Sequence, residues 1–469
     1  MERICGRILA AGAVAMLVLA VAPDSPHGIL PGVAYAADAP PRLDGFPPTP
    51  IQTEDMERRR VPNMSETTYR KFGQAQELID PCPEDPDNCE VPRDPDGALV
   101  ILHEMLERSS RYNGNELGQV HQMLAVIYYN DKDDTPNTLH HYEQLLAQVP
   151  EITEALEQGT LKTLSQLHLQ EENFDTALEY MKRWFAISYN PGPSEYILVG
   201  QIHFQRKDFP AAAQALEAAI TLAQSRELTV RENWWAMLNY AHFEMENYDR
   251  VIEILEILVR DFPKRQYWIQ LAGVYGQEGF EREQLMAFEA AHVAGFLDKE
   301  SDVMTFGGLL MQNEVPWRGA KYMQVGLDSE LVERTPRNLQ QIGQAYQLAQ
   351  EVDSAIGIFE EAGSKSDDGE IYDRLSSLYL EKDEFSKCRT AAERAMDKGG
   401  IKKLYNVEIV LGMCQFNLDE LREARATFVK ARRTAREAEE SSAERITQQW
   451  IRYIDNESKR RAELEAAGI

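Results

Sequence analysis

A set of residues recurs along this chain at steps of three, nine, four and three, and no other feature constrains the fold as much. Gly343, Tyr346, Ala355, Phe359 and Ala362 give the reference unit. Gly200, His203, Ala212, Leu216 and Ala219 repeat it, as do Ala272, Tyr275, Gln284, Phe288 and Ala291. Ser376, Tyr379, Cys388, Ala392 and Ala395 form a further copy, and Ser165, His168, Ala177, Met181 and Trp184 another. Asn239, His242, Val251, Leu255 and Leu258 follow suit, and Gly412, Gln415, Ala424, Phe428 and Ala431 add a late copy. Gly308, Met311 and Ala320 give a weaker one, while Ala125 and Tyr128 open one with a small insertion before Thr138 and Tyr142. About ten units lie between Tyr69 and Arg433, the first interrupted by a loop. Self-similarity at a period in the thirties is the mark of a solenoid, where each unit packs on its neighbours and the surface binds rather than catalyses.

The period of roughly 34 residues is that of the tetratricopeptide (TPR) helix pair. In each pair the glycine or alanine of helix A is expected to face the alanine of helix B, because a large side chain there would overpack. Trp235 and Trp268 share a slot four residues before the small one and read as core, like Tyr275 and Phe288. Pro150 and Pro263 sit at unit ends, where the missing amide helps stop helix B. The expectation is therefore an all-α, TPR-type right-handed α-solenoid of about ten helix pairs with a C-terminal capping helix. The solenoid spans 65–433 as one elongated domain, not the three that length alone suggests. Residues 434–469 form the cap, with Trp450, Ile451 and Ile454 on one apolar face.

Residues 1–36 read differently. Arg3 and Arg7 precede an apolar run of 15 residues, Ile8 to Ala22, and Ala34-Tyr35-Ala36 supplies a small-x-small cleavage site. A secretory signal peptide is expected, with an uncleaved anchor as the alternative; the run is short of the roughly 20 residues a spanning helix needs. The mature chain would be periplasmic. Residues 37–64 are proline-rich, lack an apolar period and read as a flexible leader ending in Arg58, Arg59 and Arg60. Signal removal leaves the net charge at −28, a surface that repels nucleic acid and anionic lipid and attracts basic partners.

A loop at 81–97 interrupts the first unit and holds Cys82 and Cys89, which in an oxidising compartment are expected to form a disulfide. Metal binding by this pair is less favoured, since no CxxC or histidine accompanies it. Asp85, Asp87, Asp94 and Asp96 lack the calcium-loop spacing, and capping of a helix by Asp94 or Asp96 is the better reading. Cys388 and Cys414 read as buried small residues, with a disulfide between them the lesser alternative.

The motifs of nucleotide, serine-hydrolase and metalloprotease chemistry are absent from the sequence, and the expected protein is a non-enzyme without cofactor or metal. His168, His203 and His242 occupy the tyrosine slot of three consecutive units, which stack about 10 Å apart, too far to share an ion. Adjacent His140 and His141 are expected to diverge. Partner-binding candidates, counted from the small slot, are Lys162, Gln166, Gln201, Phe204, Asn233, Tyr240, Gln266, Arg337, Gln340 and Gln344. Many carry amides suited to bonding a peptide backbone.

Several stretches also resemble a known family: RRRVPNMSETTYRKFGQAQELID (58–80), EALEQGTLKTLSQLH (154–168), RENWWAMLNYAHFEMENYD (231–249) and FPKRQYWIQLAGVYGQEG (262–279). SDDGEIYDRLSSLYL (366–380), LGMCQFNLDELREARATF (411–428) and QQWIRYIDNESKRR (448–461) extend the likeness over nearly all of the mature chain. The chain resembles the periplasmic TPR proteins of TonB, ExbB and ExbD energy-transduction systems, and departs from them in the cysteine loop. The resemblance implies a scaffold that binds components of the TonB complex and assists energy delivery to outer-membrane receptors for iron chelates, haem or similar cargo. A general cell-envelope assembly scaffold is the alternative.

Overall fold

The computed structural model describes residues 40–50, 59–81 and 91–466. The expected signal segment and the Cys82–Cys89 pair, with Asp85 and Asp87, lie outside these residues. The described residues form twenty-one α-helices and no strand. Ten pairs run α1 (Glu66–Ile79) with α2 (Pro95–Glu107), α3 (Gly114–Asn130) with α4 (Thr135–Leu146), and α5 (Glu154–Gln170) with α6 (Phe174–Ile187). Next come α7 (Pro193–Gln205) with α8 (Phe209–Ser225), α9 (Glu232–Glu244) with α10 (Tyr248–Asp261), and α11 (Arg265–Gln277) with α12 (Glu281–Val293). The last are α13 (Glu300–Gln312) with α14 (Pro316–Asp328), α15 (Pro336–Leu348) with α16 (Val352–Lys365), α17 (Glu370–Glu381) with α18 (Phe385–Lys398), and α19 (Leu404–Asn417) with α20 (Leu421–Glu437). A long helix, α21 (Ser441–Ala466), follows. From α9 onward the first helix of each pair begins 33 to 36 residues after the previous one, the TPR period. In the earlier pairs the step is 48 from α1 to α3 and then 39 or 40, where α3, α5 and α8 each run 17 residues.

By its contacts the chain divides into two compact units, residues 1–254 and 255–469. Within the second unit one apolar cluster runs from Val303 on α13 to Cys414 on α19.

Close approach within each pair shows what the small slot does. A Cβ on Gly343 would sit 2.8 Å from the Phe359 ring, one on Gly412 2.9 Å from Phe428, and one on Gly200 3.0 Å from Leu216. The glycine is therefore covered by the bulky helix B residue sixteen positions on, rather than by the alanine twelve positions on. Phe359 and Phe428 are fully buried as a result, each worth roughly 1.5–3 kcal/mol of transfer free energy. The A-to-B turns are equally regular. A residue with positive φ follows helix A at Glu172, Lys207, Glu246, Gly279, Glu314, Gln350, Asp383 and Asp419. The next amide closes the turn onto the tyrosine-slot carbonyl, as Glu351 N does on Tyr346 O (2.9 Å) and Asp208 N on His203 O (2.9 Å). Asp94 caps α2 through the Gly97 amide (2.9 Å), and Asp96 is ion-paired with Lys132 (2.6 Å). Trp235 is buried, whereas Trp268 is half-buried.

Cys388 and Cys414 are joined by a disulfide, which corrects their reading as merely buried small residues. Cys388 replaces the helix B alanine of α18, and α19 packs directly on that helix, bringing the two Cα atoms to 6.0 Å, within disulfide range. Sequence separation alone hid this neighbourhood. At the C-terminus, Trp450 of α21 stacks on Phe428 (5.3 Å between centroids), and Ile454 is fully buried against α20.

The proline-rich leader is held rather than loose where it is described. Arg59 ion-pairs with Glu157 (2.7 Å) and donates to Ile152 O (3.3 Å), while Asn115 and Asn113 donate to the carbonyls of Pro62 (2.9 Å) and Asn63 (3.0 Å). Arg59 thus belongs to the fold instead of to a free basic cluster.

The disulfide closes a separation of 26 residues, which by loop entropy contributes about 3.5 kcal/mol. Cys388→Ala with Cys414→Ala should lower the urea midpoint accordingly. A reductant should shift the wild type further than the double variant, in which only the expected Cys82–Cys89 pair is left to reduce.

Candidate functional site

The partner-binding candidates fall on both units and are described within each. In the first unit, Lys162 of α5 is half-buried and its ammonium is bound to Glu195 Oε1 of α7 (2.5 Å), so it is a tie between neighbouring helices and not a free cation. Phe204 of α7 meets Tyr240 of α9 at 5.3 Å between ring centroids, and both rings lean on Phe209. Tyr240 stays about half exposed. Gln166 and Asn233 are exposed and Gln201 is half-buried.

The second unit holds the better-formed site, a groove of about 540 Å³ between α13 and α15. Its walls are the first helices of two consecutive pairs, and its floor is opened by Gly308, which has no side chain to fill it. Exposed Ser301, Thr305 and Gln312 supply hydroxyls and an amide, and Arg337 supplies a cation with no ion pair among the described residues. Glu300 is committed to the frame: its carboxylate accepts from Glu333 N (2.8 Å) and Asn338 Nδ2 (3.1 Å). Asn338 also donates to Glu333 O (2.9 Å), and Gln341 Nε2 to Met304 O (2.9 Å). These bonds lock α13 and α15 at a fixed distance while leaving Gln341 Oε1, the hydroxyls and the guanidinium turned to the groove. Such a surface suits the carbonyls and carboxylates of an extended peptide.

Of the ten candidates, Arg337 alone lines this groove; Gln340 and Gln344 are half-buried further along α15, and Gln266 is exposed on α11. Ser301, Met304 and Gly308 were missed for one reason. The weak copy built on Gly308, Met311 and Ala320 is out of register by one residue. The buried slot is Gly307, whose Cβ would lie 2.3 Å from Met323 Cγ, and across it Gly319 would place a Cβ 2.7 Å from Gly307 O. Counted from Gly307, the positions that give Arg337, Gln340 and Gln344 in α15 give Ser301, Met304 and Gly308 in α13, all three in the groove wall.

The first unit also gathers histidines. His141 of α4 does not simply diverge from His140: its Nδ1 lies 3.0 Å from Nδ1 of His121 on α3, and both rings are buried. One imidazole must donate and the other accept, so the accepting ring is neutral. Burial, with the charge of His140 nearby, pushes His121 down to about 4. Burial, then His121, His140 and His103, does the same to His141. The three slot histidines each keep a neighbour of their own: His168 stacks on Tyr180 (5.4 Å), His203 Nδ1 lies 3.3 Å from Asp208, and His242 Nε2 lies 3.5 Å from Glu217. Among the described residues no group of three possible ligands converges, and no helix is long and apolar enough to cross a membrane.

No family model matches the chain, and no curated protein matches it. Among solved structures it is similar to the TPR2AB domain of yeast Sti1 in its pHSP90 complex, at 12% identity over 64% of this chain and 98% of that one, with a TM-score of 0.29. It is also similar to MamA, at 20% identity over 38% of this chain and 90% of that one, TM-score 0.32. Naa15/Naa10 bound to HypK aligns at 12% identity over 83% of this chain and 64% of that one, TM-score 0.41. With scores this low, the repeat architecture rests on the chain's own helix pairs.

Two expected outcomes follow. Gly307→Ala should lose about 1–3 kcal/mol by overpacking against Met323, whereas neighbouring Gly308→Ala, whose Cβ would meet only the Gln341 side-chain amide at 3.3 Å, should change stability by less than about 1 kcal/mol as helix propensity offsets that contact; denaturant unfolding of the two variants separates them. For the histidine pair, a folded-state pKa below the ordinary 6.5 means that stability is complete above pH 6.5 and is lost as pH falls towards 4. The loss from this pair is on the order of 3 kcal/mol, and His121→Phe with His141→Phe should flatten that part of the wild-type pH profile.

Proposed function

We propose that this protein is a periplasmic adaptor that holds extended segments of partner proteins against the first-helix faces of its repeats and assists a TonB, ExbB and ExbD energy-transduction complex. The observation that carries the binding role is the groove between α13 and α15: its frame is locked by Glu300, Asn338 and Gln341, and its open polar groups are unspent. A locked frame limits the entropy lost on binding, and amide and hydroxyl groups recognise a backbone without demanding one sequence. The TonB assignment is supported by the resemblance of the seven sequence stretches, and the periplasmic location by the expected signal segment; uptake of iron chelates, haem or similar cargo would be the process served.

A photo-crosslinker at exposed Thr305 in cells grown under iron limitation should capture ExbB, ExbD or TonB, and Gly308→Leu should abolish the capture while the protein remains folded. Capture of none of the three, in cells where the chain is present and folded, overturns the TonB assignment. Envelope proteins recovered in their place would assign the groove to cell-envelope assembly.

A further inference from the structure

The leader touches the first unit at a second place, and the contact there has the form of a bound peptide. Residues 43–46 make a turn closed by Phe46 N on Leu43 O (3.2 Å), with Gly45 at φ +74, the third position of a type II turn. Leu43 is buried, and Phe46 meets Phe185 of α6 edge to face at 5.4 Å. Phe185 in turn packs edge to face on Tyr196 of α7 (5.1 Å), whose ring is fully buried. The Tyr196 hydroxyl donates to Pro41 O (2.6 Å), and Gln214 Oε1 of α8 accepts from Asp44 N (3.2 Å).

Both polar bonds from the cradle go to the leader's backbone, while of two apolar side chains three residues apart Phe46 packs on Phe185 and Leu43 is buried. That is how a peptide site works: main-chain bonds supply affinity and side-chain pockets supply selection. Arg42 and Asp44 point outward and are exposed. The contact is also separable from the firm anchor at Arg59, Pro62 and Asn63, which lies on other helices and uses a buried ion pair and amide bonds.

We propose that the cradle of Phe185, Tyr196 and Gln214 is a peptide-exchange site of the first unit, held closed by the chain's own residues 41–46. Its partner is a proline-flanked extended segment of another protein carrying leucine and phenylalanine three residues apart around a glycine turn. The internal segment belongs to the same chain as the cradle, so its high effective concentration keeps weak competitors out and admits only a better match or a multivalent partner. This site is independent of the α13–α15 groove and does not depend on the TonB assignment.

The test uses the full chain and a fluorescent peptide of residues 40–50. Wild type should bind it at least tenfold more weakly than a chain opened by Leu43→Asp with Phe46→Ala, measured by anisotropy with helicity checked by circular dichroism. Gly45→Val, which strains the turn at positive φ without touching the cradle, should open the site in the same direction. Adding Tyr196→Phe to the opened chain should weaken the peptide about fivefold, the value of one hydrogen bond. A peptide with Leu43 and Phe46 both changed to alanine should not bind. An opened, folded chain that binds the peptide no better than wild type overturns the proposal, as does equal binding of the alanine peptide.

Discussion

Everything in this protein depends on how near two helices of a pair can come. Where the small slot of helix A is glycine, as at Gly200, Gly307, Gly343 and Gly412, the Leu, Met or Phe sixteen residues later lies on its bare backbone, at distances that leave little room for a methyl group. That contact buries a bulky apolar group within the pair, and it is local in sequence. Each pair can therefore form its core from one short stretch of chain and needs its neighbours only to cover the outer faces. The A-to-B turn is bound to the same geometry, since its closing amide bonds to the carbonyl of the tyrosine slot in helix A. Eight residues adopt the left-handed backbone at these turns, and of them only Gly279 does so without a side chain.

Binding follows from the same arrangement. With the bulky residues drawn between the helices of a pair, the remaining face of helix A is left to small and polar groups, and two such faces make the α13–α15 groove. Gly307 and Gly308 divide the two tasks between them: one admits Met323, the other keeps the groove floor open. The acidic character of the chain does not extend evenly here, because Glu300 is spent on Glu333 and Asn338 while Arg337 has no ion pair among the described residues.

The ends of the chain are tied by different means. α21 covers the last pair with Trp450 and Ile454. At the other end, an irregular proline-rich segment finds both a polar anchor and an aromatic cradle, although it has no periodicity of its own. Its order comes from surfaces that exist only once α5 to α8 are folded.

The repeat class, the helix pairs and the small slots were legible in the residues, because each depends on contacts within some thirty positions. So was Asp94 as a cap, which needs only Gly97 three residues on. Where glycines stand side by side, as at Gly307 and Gly308, periodicity is blind to a one-residue slip, and the groove on α13 was lost with it. Lys162 read only as a partner-binding candidate, because its ion-pair partner Glu195 is on the next repeat. The same holds for Cys388 with Cys414, for His121 with His141, and for the leader on Phe185 and Tyr196: each joins residues whose distance in sequence carries no signal. The sequence by itself determined the helix pairs, since local burial is written in local spacing. Which polar groups remain open for a partner was decided only by tertiary packing, since a side chain's availability depends on the neighbour that reaches it first.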